Sequence, residues 1–161
     1  MVDTYLSEED FKAFVESLPR RRLAAGALIT DESDRLLIVK PNYKDGWSLP
    51  GGTVEAGEAP QEGCFREVLE EVGLDLPRGR MLLVFHGLNM GGWGDSAYFI
   101  YDGGTISSEA PIVLQEEELT EYRFVPFADV DGFLSPGFSA RLRQAHEVRG
   151  SDRVIELSSH G

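Results

Sequence analysis

Cysteine is nearly absent: Cys64 is the only one in 161 residues. No disulfide can therefore close within the chain, and a reducing compartment suits it. Long apolar runs are missing as well, since no window approaches the roughly 18 residues of a membrane span. Residues 1–19 are studded with Asp and Glu where a secretion signal would be apolar. The expectation is a soluble, cytoplasmic protein with no membrane partner. Positive charge is scarce, with 15 Lys and Arg against 28 Asp and Glu and a formal charge of −13. Duplex nucleic acid is disfavoured as a partner, because binding it depends on Lys and Arg displacing counterions.

The rest of the composition, 42% apolar and 27% charged, is the balance of one ordinary domain, read here as residues 1–161. A chain of this length buries roughly 68–70% of the surface its unfolded form exposes. It needs no disulfide or structural metal to hold a core, so a metal bound here is expected to serve function.

An N-terminal helix is expected within residues 1–19. Ser7 offers an N-cap, Glu8, Glu9 and Asp10 fill the first turn, Phe11, Phe14, Val15 and Leu18 form an apolar stripe, and Pro19 ends it. Residues 23–30 and 35–40 read as adjacent strands joined by the polar turn Asp31-Glu32-Ser33-Asp34. After a glycine-rich loop, residues 60–72 have helical spacing, with Pro60 in the first turn and Gly73 at the C′ position. Residues 81–86, 97–101 and 122–126 read as further strands, and residues 87–95 as a glycine-rich lip. A C-terminal helix is expected over residues 139–149, and residues 158–161 as a tail. This order predicts an α/β fold, a mixed β-sheet with helices on both faces.

The chemistry concentrates in Gly51-Gly52-Thr53-Val54-Glu55-Ala56-Gly57-Glu58 and, seven residues on, Arg66-Glu67-Val68-Leu69-Glu70-Glu71-Val72-Gly73-Leu74. At 100° per residue, Glu67, Glu70 and Glu71 fall within about 100° of arc, while Cys64, Phe65, Val68 and Val72 take the neighbouring arc. One edge of the helix is acidic and the adjacent face is buried. Three carboxylates at i, i+3 and i+4 repel one another unless cations sit among them. Their oxygens suit Mg²⁺ or Mn²⁺, whose remaining coordination positions accept water and phosphate oxygens. The alternative for the triplet taken alone is a solvated acidic face.

Gly52, five residues, Glu58, seven residues, then Arg66-Glu67-Val68-x-Glu70-Glu71-x-Gly73-Leu74 resembles the Nudix box at every defined position. The flanking segments Gly46-Trp47-Ser48-Leu49-Pro50-Gly51 and Glu118-Leu119-x-Glu121-x-Arg123-Phe124-Val125 also look like the family's context. The resemblance implies a Nudix-type α/β/α sandwich in which residues 52–74 form a loop, a helix and a loop. It implies a metal-dependent pyrophosphohydrolase that cleaves a nucleoside diphosphate linked to another moiety. By the same resemblance Glu67, Glu70 and Glu71 are the expected metal ligands, with the carbonyl of Gly51 or Gly52 completing the shell. Glu58 and Arg66 resemble the pair that braces the loop against the helix.

Hydrolysis also needs a base for the attacking water, and family members differ in whether a box glutamate or one on a distant loop supplies it. Glu118 is the first candidate for a loop glutamate, with Glu116 and Glu117 as rivals. Trp93, in Gly91-Gly92-Trp93-Gly94, could stack on a nucleobase or cap the sheet edge. Arg22, in Arg20-Arg21-Arg22, and Lys40 are the basic groups near the first strands that could meet a phosphate. Phe85, His86, Phe99 and Tyr101 lie on strands that face either cleft or core. Trp47 is expected to pack under the box, and Cys64, on the buried face, is no nucleophile. Gly63, inside the helix, is expected to serve close packing.

The residues after the box match neither the proline pattern of members acting on ADP-ribose nor the tyrosine pattern of those acting on dinucleoside polyphosphates, since Met90, Gly91, Gly92 and Trp93 occupy the region. A small-molecule nucleotide remains the expected partner: a nucleoside triphosphate, oxidised or not, or a nucleotide sugar. The rival class is a non-catalytic module that senses a nucleotide metabolite. Pairing into a homodimer, with the N-terminal helix as an interface, is left open.

Overall fold

The computed structural model describes residues 6–159. Its elements in chain order are α1 (Glu8–Ser17), β1 (Arg22–Thr30), β2 (Arg35–Pro41), β3 (Gly51–Thr53), α2 (Pro60–Val72), β4 (Met81–Gly87), β5 (Ser96–Thr105), β6 (Leu119–Pro126), α3 (Pro136–Val148) and β7 (Ile155–Ser158). Short 3-10 turns at Gly91–Trp93 and Phe127–Gly132 complete the path. Among the described residues no helix is long and apolar enough to cross a membrane.

The strands form one mixed sheet in the order β6-β2-β1-β5-β4-β7, with β3 paired to β1. β1 runs parallel to β5 and β4 parallel to β7; the other pairings are antiparallel. β1 and β2 leave a turn in which the Asp31 carboxylate accepts from the Ser33 and Arg35 amides and meets the Arg35 guanidinium at 2.6 Å. Their paired residues are Thr30 and Leu36. Further along, the N-terminal half of β1 is free to take β3 instead, through Ala24, Ala25 and Gly26.

Period-two alternation sends the two sets of apolar side chains to opposite faces. Ala25, Ala27, Ile29, Leu37 and Val39 meet Cys64, Phe65, Val68 and Val72 of α2. Leu28, Leu36, Ile38, Leu83 and Ile100 meet Leu142, Ala145 and Val148 of α3. The sheet is thus sandwiched between helices, as the α/β/α reading expected. α2 begins with Pro60 at its first turn and ends at Gly73 in the left-handed conformation (φ 71°).

Several expectations need correction. α3 starts at Pro136 rather than 139, because Ser135 caps it by accepting from the Phe138 amide. The segment read as a tail from residue 158 overlaps β7, whose residues pair with Leu83 to His86. With only four residues and no clean alternation, β7 carries little local signal. α1 occupies residues 8–17 of the expected 1–19; residues 1–5 lie outside the described residues, as do 160 and 161 of the expected tail. α1 contributes no buried residue, so its apolar stripe faces outward. Trp47 lies on the α3 side of the sheet, 5.6 Å and edge-on from Phe133, and does not pack under the box. Tyr101 is buried beside Phe65 in the core under α2 and does not face a cleft.

Candidate active site

The acidic edge of α2 lies against the loop that precedes it. Arg66 is the hub: its Nε and Nη2 donate to the two Glu58 oxygens at 3.0 and 2.7 Å, and Nη2 also donates to the Thr53 carbonyl at 3.4 Å. Glu58 in turn accepts from the Glu55 amide at 2.8 Å. Hydrogen bonding by Arg66 and the Glu55 amide lowers the Glu58 carboxyl to about 2. Gly63 permits this clamp, since a Cβ there would sit 2.6 Å from Glu58 Oε1. Its place inside a helix, costing about 1 kcal/mol relative to alanine, is therefore explained by the approach of a charged side chain.

The same guanidinium reaches Glu67 at 3.2 Å and Glu70 at 3.1 Å through Nη1. Glu71, one position further round the helix, is 5% exposed and accepts from the Gly51 amide at 2.9 Å. Burial pushes the Glu71 carboxyl up to about 8 against the opposing pull of that hydrogen bond, and the charges of Glu67 and Glu118 add to the rise. Glu67 is raised too, chiefly by burial, with Glu70 and Glu118 contributing. Two acids displaced upward by desolvation and by neighbouring carboxylates form a site that gains from an added cation.

Glu67, Glu71, Glu118, Gly51 and Gly52 line one cavity of about 900 Å³. Glu118 comes from the turn before β6. β2 and β6 pair over Arg35–Pro41, and the Asn42 amide donates to the Glu118 carbonyl at 2.8 Å, so the loop after β2 and the loop before β6 meet at one end of the sheet. Glu116 and Glu117, adjacent in sequence, do not line the cavity.

The opposite part of the wall holds Arg22, Trp93, Ser96 and Tyr98. Parallel pairing of Arg22 with Ser96 brings the start of β1 beside the glycine-rich lip. Arg22 donates to the Trp93 carbonyl, and its guanidinium carbon lies 5.2 Å from the Trp93 ring centroid. Trp93 remains 56% exposed, which leaves ring surface for a planar ligand.

Two expected residues fall elsewhere. The pleat that sends Val39 toward α2 sends Lys40 to the other face, where its amine lies 5.9 Å from the Trp47 ring; it does not line the cavity. Glu70 does not line it either, being half exposed and turned to Arg66. Lys44 and Tyr43, which sequence reasoning missed, do line it. Tyr43 is largely exposed at the cavity mouth, and partial desolvation together with the charges of Glu71, Glu118 and Glu67 raises its phenol. Their signal was position, in the loop running from β2 into the box, and it was readable only once β2 was paired with β6.

Among the described residues no three carboxylate, imidazole or thiol groups stand as a ready-made ion cage. The Arg66 guanidinium engages Glu67 and Glu70 together. The donor set still fits a hard divalent ion: Glu67, Glu70 and Glu71 are adjacent on one helix edge, Glu71 is desolvated, and a fourth acid, Glu118, lines the same cavity from another loop. The expected Gly51 carbonyl ligand is accompanied by a contact of the opposite sense, the Gly51 amide donating to Glu71.

Residues 20–146 match the family model described as the NUDIX domain. Over 57 residues the chain is 40% identical to an RNA pyrophosphohydrolase of Hydrogenovibrio crunogenus (strain DSM 25203 / XCL-2), a stretch covering 35% of this chain and 34% of that protein. The match thus spans about a third of that relative's length. The fold is like that of a MutT protein from Methanosarcina mazei Go1, with a TM-score of 0.68 at 24% identity, covering 81% of this chain and 97% of that one. It is also like that of the NUDIX domain of Shewanella oneidensis NrtR complexed with ADP ribose, with a TM-score of 0.70 at 20% identity, covering 88% and 98%. At these identities the structural likeness is one of fold.

Proposed function

The chain belongs to the NUDIX family, and from that membership we propose that it is a divalent-metal-dependent pyrophosphohydrolase acting on a nucleoside diphosphate linked to another moiety. The substrate class is a nucleoside triphosphate, oxidised or not, or a nucleotide sugar. The observation that carries this reading is the two-sided cavity, with Glu67, Glu71 and Glu118 on one wall and Arg22 with the exposed Trp93 ring on the other. A nucleotide has the same polarity, a planar base at one end and anionic phosphates at the other.

In this reading the base lies against Trp93, with Arg22 holding the ring in place. The phosphates run toward the acidic wall, where Lys44 offers a cation on the same cavity surface. Mg²⁺ or Mn²⁺ held by Glu67, Glu70 and Glu71 supplies, when bound, neutralisation of the phosphoryl charge and a more acidic water. Glu70 takes part by turning from Arg66. Glu118 accepts the proton of the attacking water, one P–O bond forms, and the bridging P–O bond breaks to release a nucleoside monophosphate and the remaining phosphate-bearing group. Glu58 and Arg66 hold the loop of Gly51 and Gly52 against α2, so that the wall keeps its shape as the substrate enters.

The test is turnover of a panel of nucleoside triphosphates, oxidised triphosphates, nucleotide sugars and ADP-ribose with Mg²⁺ or Mn²⁺, read as phosphate after a coupling phosphatase. Metal-dependent cleavage of one class, lost in Glu71→Gln and Glu70→Gln, supports the reading. Nucleotides that raise the melting temperature without being cleaved would replace it with a sensing module.

A further inference from the structure

The feature the proposed catalysis leaves unused is α1. Its residues Phe11, Phe14, Val15 and Leu18 follow the i, i+3, i+4, i+7 spacing of a packing seam, yet they are 39%, 52%, 42% and 45% exposed. Leu6, just before the helix, is exposed too. Four large apolar side chains on one stripe, with no buried residue anywhere on the helix, form a surface that water solvates poorly.

The charges around the stripe say what covers it. Glu8, Glu9 and Asp10 fill the first turn, and the Ser7 hydroxyl caps the helix by accepting from the Asp10 amide. Immediately past the other end stand Arg20, Arg21 and Arg22. The stripe is therefore flanked by Glu8 and Asp10 at its start, is apolar through its middle, with Lys12 and Glu16 turned to the far side of the helix, and is followed by basic residues. A surface with opposite charges at its two ends is complementary to its own copy turned end for end. We propose that α1 is a self-association surface, on which a second copy of this chain docks its own α1 antiparallel about a two-fold axis.

In that arrangement Phe14 lies across from Val15 of the other copy and Phe11 across from Leu18. Glu8 and Asp10, which flank the stripe while Glu9 points to the far side of the helix, lie toward Arg20 and Arg21 of the other copy. A parallel pair would bring acid against acid and base against base, which disfavours it. A ten-residue helix is about 15 Å long and is too short by itself to cover the roughly 800 Å² per partner of a standard interface. The dimer is accordingly weak and dissociates on dilution. This proposal does not depend on the chemistry of the cavity, and Arg22, which lines the cavity, is left intact in its test.

The experiment is sedimentation velocity of the full chain from micromolar to millimolar concentration. The wild type shifts from monomer to dimer over that range, and Phe14→Asp stays monomeric throughout. Two charge-reversed variants complete the test: one carries Glu8→Arg and Asp10→Arg, the other Arg20→Glu and Arg21→Glu. Each alone is monomeric at concentrations where the wild type pairs, and mixing them restores the dimer. Because α1 contributes no buried residue, each variant keeps the wild-type unfolding transition of the sheet domain, which circular dichroism checks. A wild type that is monomeric at every concentration overturns the proposal. So does an association that survives Phe14→Asp, or one that the charge-reversed variants form as well alone as mixed.

Discussion

Glu71→Gln separates the electrostatics of the cavity from its packing. Without a metal, burial is the chief cause that pushes the Glu71 carboxyl up to about 8 from an ordinary 4.5. A group raised on folding contributes stability that is fully present below its unfolded value and is lost as the pH rises through its folded value. Between 4.5 and neutrality that is two and a half pH units, and at about 1.4 kcal/mol per unit the metal-free protein loses about 3.5 kcal/mol. For a domain of this size that corresponds to a fall of roughly 7–14 °C in melting temperature. Glutamine keeps an oxygen able to accept from the Gly51 amide and has no charge to desolvate. Measured in EDTA from pH 4.5 to 9, the variant should overtake the wild type as the pH rises, and the gap should level off above about 8. Added Mg²⁺ should stabilise the wild type at pH 8 and the variant far less, because it is the ionised carboxylate that gains. Parallel pH profiles for the two proteins in EDTA would refute the reasoning.

Glu118→Gln should lower kcat by about 10²–10⁴ with little change in KM, as expected for loss of a base, while Glu117→Gln, outside the cavity, should leave steady-state rates unchanged. Gly51→Ala should destabilise the domain by several kcal/mol in urea unfolding, because φ is 151° and the added Cβ would collide with the Ala25 carbonyl. Trp93→Ala should raise KM for the preferred nucleotide roughly tenfold, equivalent to about 1.4 kcal/mol of stacking, and leave the unfolding transition in place because the ring is mostly exposed.

The parts of the site that sequence alone made legible lie within one helical turn of each other or within one loop. The edge Glu67-Glu70-Glu71, the partnership of Glu58 with Arg66 and the buried face of Cys64 and Val68 all belong to residues 52–74. There α-helical geometry and the box pattern specify the neighbours of each side chain. The misread residues are those whose neighbours come from far along the chain. Nearness to the first strands suggests a phosphate contact for Lys40, but its position in the pleat sets it over Trp47. Nearness to the box suggests that Trp47 packs under it, yet Phe133 is its partner.

The longer helices and strands, the acidic helix edge and the amphipathic pattern are written into residue order, because helix and strand periods depend only on separations of two to four residues; the short β3 and β7 are not. Nor is the cavity. Glu118 joins Glu67 and Glu71 only because β2 pairs with β6, and Arg22 meets Trp93 only because β1 runs beside β5. Sheet register decides both contacts, and register is set by the fit of whole strands between α2 and α3. That is an energy shared across the core, which no short window of residues carries.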